Sequence, residues 1–166
     1  VTIRAMSKRT SVLFVCMGNI CRSPLAEGIF LHTINRRGIA DRFSVDSAGT
    51  GGWHAGSRPD PRAIAVAERR GVVLPSRARV IQPEDFTRFD HLLCMDRVNE
   101  RHLLRIGAPR ERLRLMLSVD PNSTHVEVPD PYEGDEEDFE LVYRLLESAC
   151  SALADELVQR HGLPTR

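Results

Sequence analysis

The chain has 166 residues, 42% of them apolar and 28% charged, enough for one domain with a buried core and ordinary for a globular protein in water. Its 23 basic and 23 acidic side chains cancel, so no global field draws in nucleic acid or an anionic membrane, and no nucleic-acid partner is expected. No apolar run approaches the length of a membrane span, which argues against membrane insertion.

In chain order, Val1 to Thr10 is polar and basic, lacks the apolar centre of a secretory signal, and reads as a flexible tail (1–10) ahead of a single domain over 11–160. Val12-Leu13-Phe14-Val15 reads as a buried parallel strand. After a tight loop, Ser23-Pro24 opens a helix with Ser23 as its cap. Leu25, Ile29, Phe30, Thr33 and Ile34 share one face of that helix, and Gly38 ends it. Residues 43–48 alternate as a second strand, followed by the glycine-rich segment Gly49 to His54, which by itself reads as a turn. Asp60-Pro61 caps a helix running to about Arg70 and stopped by Gly71.

A helical turn over Pro83 to Phe86 is expected next. A third strand follows at His91 to Met95, a helix at Asn99 to Ile106 and a fourth strand at Leu113 to Leu117. Asp120-Pro121-Asn122-Ser123 is turn chemistry. The clearest element is the last helix, where Phe139, Val142, Tyr143, Leu146, Ala149, Cys150, Leu153 and Leu157 recur at helical spacing. Residues 161–166 read as a C-terminal tail. Strands alternating with helices predict an α/β fold, a parallel sheet covered on both faces.

The chemistry concentrates between the first strand and the first helix, in Cys16-Met17-Gly18-Asn19-Ile20-Cys21-Arg22-Ser23. A strand–loop–helix junction can aim several backbone N–H groups and the positive end of the helix dipole at one point, where an anion settles. Gly18 and Asn19 tolerate the left-handed backbone such a loop needs. Arg22 offers a planar fork that matches two phosphate oxygens, and the same field favours Cys16 as a thiolate, the nucleophilic form. A thiolate beneath a phosphate cradle points to phosphoryl transfer to sulfur.

Other readings of these residues are weaker. The Cys16–Cys21 spacing suits zinc, but a structural zinc needs about four ligands and no second cysteine pair exists, so no metal is expected. The same pair can instead close as a reversible disulfide that shields the nucleophile from over-oxidation. No glycine-rich loop ends in Gly-Lys-Ser/Thr, and Gly49, Gly51 and Gly52 lack the dinucleotide spacing. Cys94 and Cys150 fall in apolar patterns and read as core residues; four cysteines so placed suit a reducing cytoplasm rather than a secreted framework. Phosphoryl transfer through cysteine also needs an acid for the leaving oxygen. Asp-Pro occurs at Asp60, Asp120 and Asp130, and spacing favours Asp130, in Asp130-Pro131-Tyr132, only modestly.

With these motifs in place, VLFVCMGNICRSP at 12–24 resembles the signature of the low-molecular-weight protein tyrosine phosphatases. The segments DSAGTGGWH at 46–54, DPRA at 60–63, FDHLLCMDRVN at 89–99 and VPDPY at 128–132 resemble the family in its order. The resemblance implies a three-layer fold with a four-stranded parallel sheet (order 2-1-3-4), and hydrolysis of phosphotyrosine and aryl phosphomonoesters through a phosphocysteine without metal or cofactor. It implies Cys16 as nucleophile, Arg22 as phosphate clamp and Asp130 as acid and then base. Met17, Gly18, Asn19, Ile20, Cys21, Arg22 and Ser23 would form the phosphate loop. Ser23 would support the thiolate, Ser47 would hold Asn19, and Trp53 and Tyr132 would wall the aromatic ring. Partners would be a phosphotyrosine-containing protein or peptide and inorganic phosphate as product, with the protein a cytoplasmic monomer. Two positions depart from the pattern: Ser76 stands where many members have histidine, and Glu133 where many have a second tyrosine.

Two activities on the same fold compete. An arsenate reductase would need relay cysteines in mid-chain, where only Cys94 stands. A protein-arginine phosphatase would carry threonine in place of Ile20, whose apolar side chain suits an aryl ring. A phosphotyrosine-binding or redox-sensing module without turnover is disfavoured by the complete set of nucleophile, clamp and acid.

Overall fold

A computed structural model describes residues 8–163. Four strands, β1 (Thr10–Cys16), β2 (Phe43–Gly49), β3 (His91–Cys94) and β4 (Leu113–Leu115), form one parallel sheet in the order β2-β1-β3-β4. Five helices complete the fold: α1 (Arg22–Arg36), α2 (Pro61–Glu68), α3 (Asp85–Arg88), α4 (Arg97–Arg105) and α5 (Glu136–Arg160). Alternation along β1 explains the three layers. Val12 and Phe14 enter a core shared with α1, α2 and α5, whereas Leu13 and Val15 enter a second core with Phe86, Phe89 and Leu103. The larger core is anchored by Phe14, Phe30 and Phe43, whose rings pack edge to face at 5.4–5.7 Å. Burying each such ring is worth about 1.5–3 kcal/mol.

Several boundaries differ from the expected ones. The fourth strand stops at Leu115, because Met116, Leu117 and Val119 all turn into the larger core from a 3-10 turn. Strand alternation would have sent one of each adjacent pair to the opposite face. Helix α4 starts two residues early and α5 begins at Glu136 because each has a reciprocal capping box, Asp96 with Asn99 and Asp135 with Asp138. Helix α3 is shifted towards Arg88.

The domain also reaches past the expected tails. Thr10, assigned to the tail, is buried and pairs with Phe43 in β1, and Ser11 is held by Asp90. At the other end the His161 Nε2 lies 2.9 Å from His91 Nε2, and Leu163 packs against the core. The rest of both expected tails, 1–7 and 164–166, lies outside the described residues. Among the described residues no helix is long and apolar enough to cross a membrane.

The chain leaves β1 for β2 on one side and later places β3 on the other. The sheet therefore switches direction beside β1, and the crevice at the carboxyl ends of its strands is the place a ligand is expected. Cys16 is the last residue of β1 and Asp96 follows β3 by two residues.

Candidate active site

The loop from Cys16 to Arg22 is held from outside. Its carbonyls accept from the scaffold: Cys16 from Thr50 N–H (2.9 Å), Met17 from Gly51 N–H (3.0 Å) and Ile20 from Asp60 N–H (2.8 Å). In a planar trans peptide the next N–H points opposite the carbonyl, so these bonds turn the N–H groups of Met17, Gly18 and Cys21 to the other side of the loop. Asn19 sits at φ 56°, the left-handed region that Asn tolerates and that closes the curl. The glycine-rich segment expected to be a plain turn is thus the outer brace of this loop. Gly49 is required there, since a Cβ would stand 2.8 Å from Met17 O.

Helix α1 has Cys21 as its N-cap, with no side chain capping its first amides and no acidic residue in its first turn. Ser23 is therefore not the cap expected from the sequence. It lies two residues past the cap, in the first turn, fully buried, with Oγ 3.0 Å from Cys16 Sγ. The uncapped amides and the helix dipole are left to an anion at the loop.

The hydrogen bonds beneath Cys16 have a definite polarity. Asn19 Oδ1 accepts from Arg79 N–H (3.0 Å), which fixes the amide orientation, and Asn19 Nδ2 donates to Ser23 Oγ (2.7 Å) and Ser47 Oγ (3.0 Å). Ser47 Oγ donates in turn to Glu27 Oε1 (2.6 Å). Since Ser23 Oγ accepts from Asn19, its single proton is available to the sulfur of Cys16. Ser47 is buried under the loop, in contact with Asn19.

Arg22 is 3% exposed and lies between two carboxylates. Its Nη1 donates to Asp96 Oδ2 (2.6 Å) and Val128 O (3.1 Å), and its Nη2 lies 3.6 Å from Asp130 Oδ2. Burial disfavours the guanidinium charge, but Cys16, Asp96 and Asp130 together hold its pKa above the ordinary value. Asp96 serves two elements, capping α4 through Oδ1 and orienting Arg22 through Oδ2. Asp130, 41% exposed, stands at the cleft rim with Oδ1 accepting from Tyr132 N–H (3.1 Å). Pro131 between them is buried.

The cleft holds about 170 Å³ and is lined by Cys16, Arg22 and Asp130 at its polar end. Trp53 and Tyr132 stand at its mouth, exposed, with Met17 and Ile20 below them. His54 also lines it, its ring centroid 6.0 Å from that of Tyr132. Cys21 opens on the same cleft, but its surroundings are apolar and acidic: burial, then Asp60, Cys16 and Asp130, push its thiol strongly upward. All four cysteines are free, and Cys94 and Cys150 are fully buried. Among the described residues no group of three or more His, Cys, Asp or Glu side chains could hold a metal ion.

Five contributors escaped the sequence reading: Glu27, Arg79, Asp96, His54 and Arg62. Only Asp96 carried a sequence signal, the Asp-x-x-Asn pattern before an apolar helix face. The other four act through contacts at sequence separations that no local pattern reports.

The family profile described as "Low molecular weight phosphotyrosine protein phosphatase" matches residues 11–162. The chain belongs to that family. A low molecular weight phosphotyrosine protein phosphatase from Sus scrofa is 40% identical over 151 residues, covering 89% of this chain and 95% of its own. Low molecular weight protein-tyrosine phosphatase A from Mycobacterium bovis is 43% identical over 162 residues, covering 95% and 99%. Among solved structures, a protein tyrosine phosphatase from Entamoeba histolytica superposes with a TM-score of 0.88 at 35% identity, covering 92% of this chain and 99% of that one. The four-stranded sheet in the order 2-1-3-4 is the fold this low-molecular-weight phosphatase was expected to have.

Proposed function

We propose that this chain is a metal-independent protein-tyrosine phosphatase that hydrolyses phosphotyrosine and aryl phosphomonoesters through a phosphocysteine. The observation that carries this reading is the placement of Cys16, Arg22 and Asp130 around one cleft whose mouth is two aromatic rings. The phosphoryl group sits on the loop amides and the Arg22 fork, with the aryl ring between Trp53 and Tyr132. Cys16 Sγ attacks phosphorus in line: the S–P bond forms, the P–O bond to the ring breaks, and Asp130 gives its proton to the leaving phenolate. Water then attacks phosphorus while Asp130 takes its proton, the S–P bond breaks, and inorganic phosphate and the Cys16 thiolate are released. Ser23 Oγ–H, left free by Asn19, stabilises the thiolate at both ends of the cycle.

Two details favour an aryl substrate over the competing chemistries. Ile20 presents an apolar wall, not a hydroxyl, to the cleft, which argues against phosphoarginine. Cys94, the mid-chain candidate for a disulfide relay, is buried in β3 with Sγ at 3.5 Å from Arg114 O, which argues against arsenate reduction. All residues of the scheme come from one chain, so the scheme needs no residue from a second copy.

The test is a panel of phosphotyrosine, phosphoserine and phosphoarginine peptides with wild type, Cys16→Ser and Asp130→Ala. Wild type is expected to release phosphate from phosphotyrosine alone, also in the presence of chelator. Cys16→Ser should abolish release, and Asp130→Ala should lower turnover by about a hundredfold or more. Preference for phosphoarginine, or turnover by Cys16→Ser, would overturn the reading.

A further inference from the structure

We propose that Arg62, on the first turn of α2, is the positioning residue that holds the acid-bearing segment 130–134 in register with the phosphate loop. The inference rests on the phosphatase reading above. Asp60 and Arg62 together touch both halves of the site. On one side, Asp60 N–H donates to Ile20 O in the phosphate loop (2.8 Å). On the other, Arg62 Nη2 donates to Tyr132 O (2.9 Å) and Nη1 to Gly134 O (3.1 Å). Tyr132 is the residue whose own N–H donates to Asp130 Oδ1 (3.1 Å). The guanidinium therefore holds by its carbonyl the residue whose own N–H meets the Asp130 carboxylate, two hydrogen bonds away from the reacting group.

The guanidinium is itself fixed on three sides. Asp60 Oδ1 accepts from Arg62 N–H (2.8 Å) and Nε (3.1 Å), and Asp60 Oδ2 from Nη2 (2.9 Å). The plane lies over the Phe139 ring at 4.6 Å and within 5.9 Å of the Tyr132 ring. Asp60 is nearly buried and its N–H is tied to the phosphate loop, so the fork is referenced to that loop, not to solvent. An arginine is needed because two carbonyls and a carboxylate are spanned by one rigid plane, a geometry that lysine's single ammonium cannot reproduce. Arg62 is itself 41% exposed, and an ion pair so exposed contributes little to stability, so its many bonds are better explained by placement of the loop.

A misplaced acid has a signature that a merely loosened fold lacks. Phenyl phosphate expels a strongly basic phenoxide and needs the proton; 4-nitrophenyl phosphate expels a weakly basic one and needs it less. The quantity to measure is the ratio of kcat/KM for the two substrates in wild type, Asp130→Ala, Arg62→Lys and Arg62→Met. The ratio is taken within one preparation, so an unfolded fraction cancels. The methionine variant keeps an apolar stem over Phe139. Both Arg62 variants are expected to lower the phenyl-to-nitrophenyl ratio by about tenfold, in the direction of Asp130→Ala. If wild type cleaves neither substrate, the phosphatase reading fails. If wild type cleaves both and Asp130→Ala lowers the ratio while the Arg62 variants keep the wild-type ratio, Arg62 does not position the acid, whatever the absolute rates. An unchanged ratio in Asp130→Ala would remove the acid assignment, and the inference with it.

Discussion

The Ser76 hydroxyl donates to Glu27 Oε2 at 2.6 Å, completing a buried carboxylate whose other oxygen accepts from Ser47. Glu27 is 2% exposed, and Ser76 is the position at which the sequence departs from the histidine of the family pattern. The buttress beneath Asn19 is therefore built from hydroxyls, and the chain from Ser76 through Glu27, Ser47, Asn19 and Ser23 ends on Cys16.

Glu27 gives a pH dependence with a definite sign. Burial raises its pKa, and the Ser47 and Ser76 bonds pull it back only in part. The folded state therefore binds the proton more tightly than the unfolded one. Its contribution to stability falls as pH rises from about 4.3, the unfolded value, through the raised folded value. Glu27→Gln removes this titration. Urea unfolding from pH 4 to 8 should show wild type losing stability relative to Glu27→Gln as pH rises; a difference that is flat or of opposite slope contradicts the assignment. Ser76→Ala should cost about 1–3 kcal/mol by leaving one buried oxygen without its donor.

Glu140 behaves in the opposite sense. Hydrogen bonds from Arg70 and then Arg69 hold its carboxyl down at about 2, and these pairs tie α5 to the end of α2. The contribution is present above about 4.3 and lost as pH falls towards the folded value. Glu140→Gln should cost about 1 kcal/mol at neutral pH, the scale of a partly exposed network, and much less at pH 2, where the carboxyl is largely titrated. Equal destabilisation at both ends of the range in thermal melts would count against the ion pairs.

The mouth of the cleft carries a charge bias. Glu133 is exposed next to Tyr132, and Asp135, Glu136, Glu137 and Asp138 follow it on the surface. Phosphotyrosine peptides with basic flanks should be cleaved about threefold to tenfold more efficiently than acidic ones, with the preference shrinking as salt rises. Glu133→Lys should reduce it. Equal kcat/KM across flank charges would refute the bias.

Oxidation should link the two cysteines of the cleft. Peroxide converts Cys16 to a sulfenic acid, and the Cys21 sulfur, once its thiol gives up the proton that burial and Asp60 favour, attacks it, so that the S–S bond forms as the sulfenic hydroxyl leaves as water. Mass spectrometry after mild peroxide should find the Cys16–Cys21 cross-link, reversed by thiol. Sulfonic acid at Cys16 with Cys21 untouched would exclude it.

How much of this was legible follows from the range of the forces involved. The phosphate loop was readable because its residues are contiguous: the apolar strand, the left-handed Gly-Asn pair and the helix start are each local preferences, and together they dictate an anion cradle with Cys16 and Arg22 in it. The apolar stripe of α5 was readable for the same reason, and the parallel sheet followed from strands alternating with helices. The end of β4 was not, because the fit of Met116, Leu117 and Val119 into the core overrode the alternation their types suggest. Nor was the true cap of α1: the propensity of Ser23 to cap a helix lost to its hydrogen bonds with Asn19 and Cys16 inside the first turn. Asp60, Asp120 and Asp130 are alike as Asp-Pro pairs. Only packing sets Asp130 by Arg22, while Asp60 caps α2 and Asp120 accepts from Ser148. The sequence by itself determined the loop that joins Cys16 to Arg22, since a backbone curl is a short-range object. The tertiary structure decided which carboxylate faces Arg22, what orients it and which buried groups reach the Cys16 sulfur, since those contacts join residues as far apart in sequence as Arg22 and Val128, 106 positions, that only the closed fold brings together.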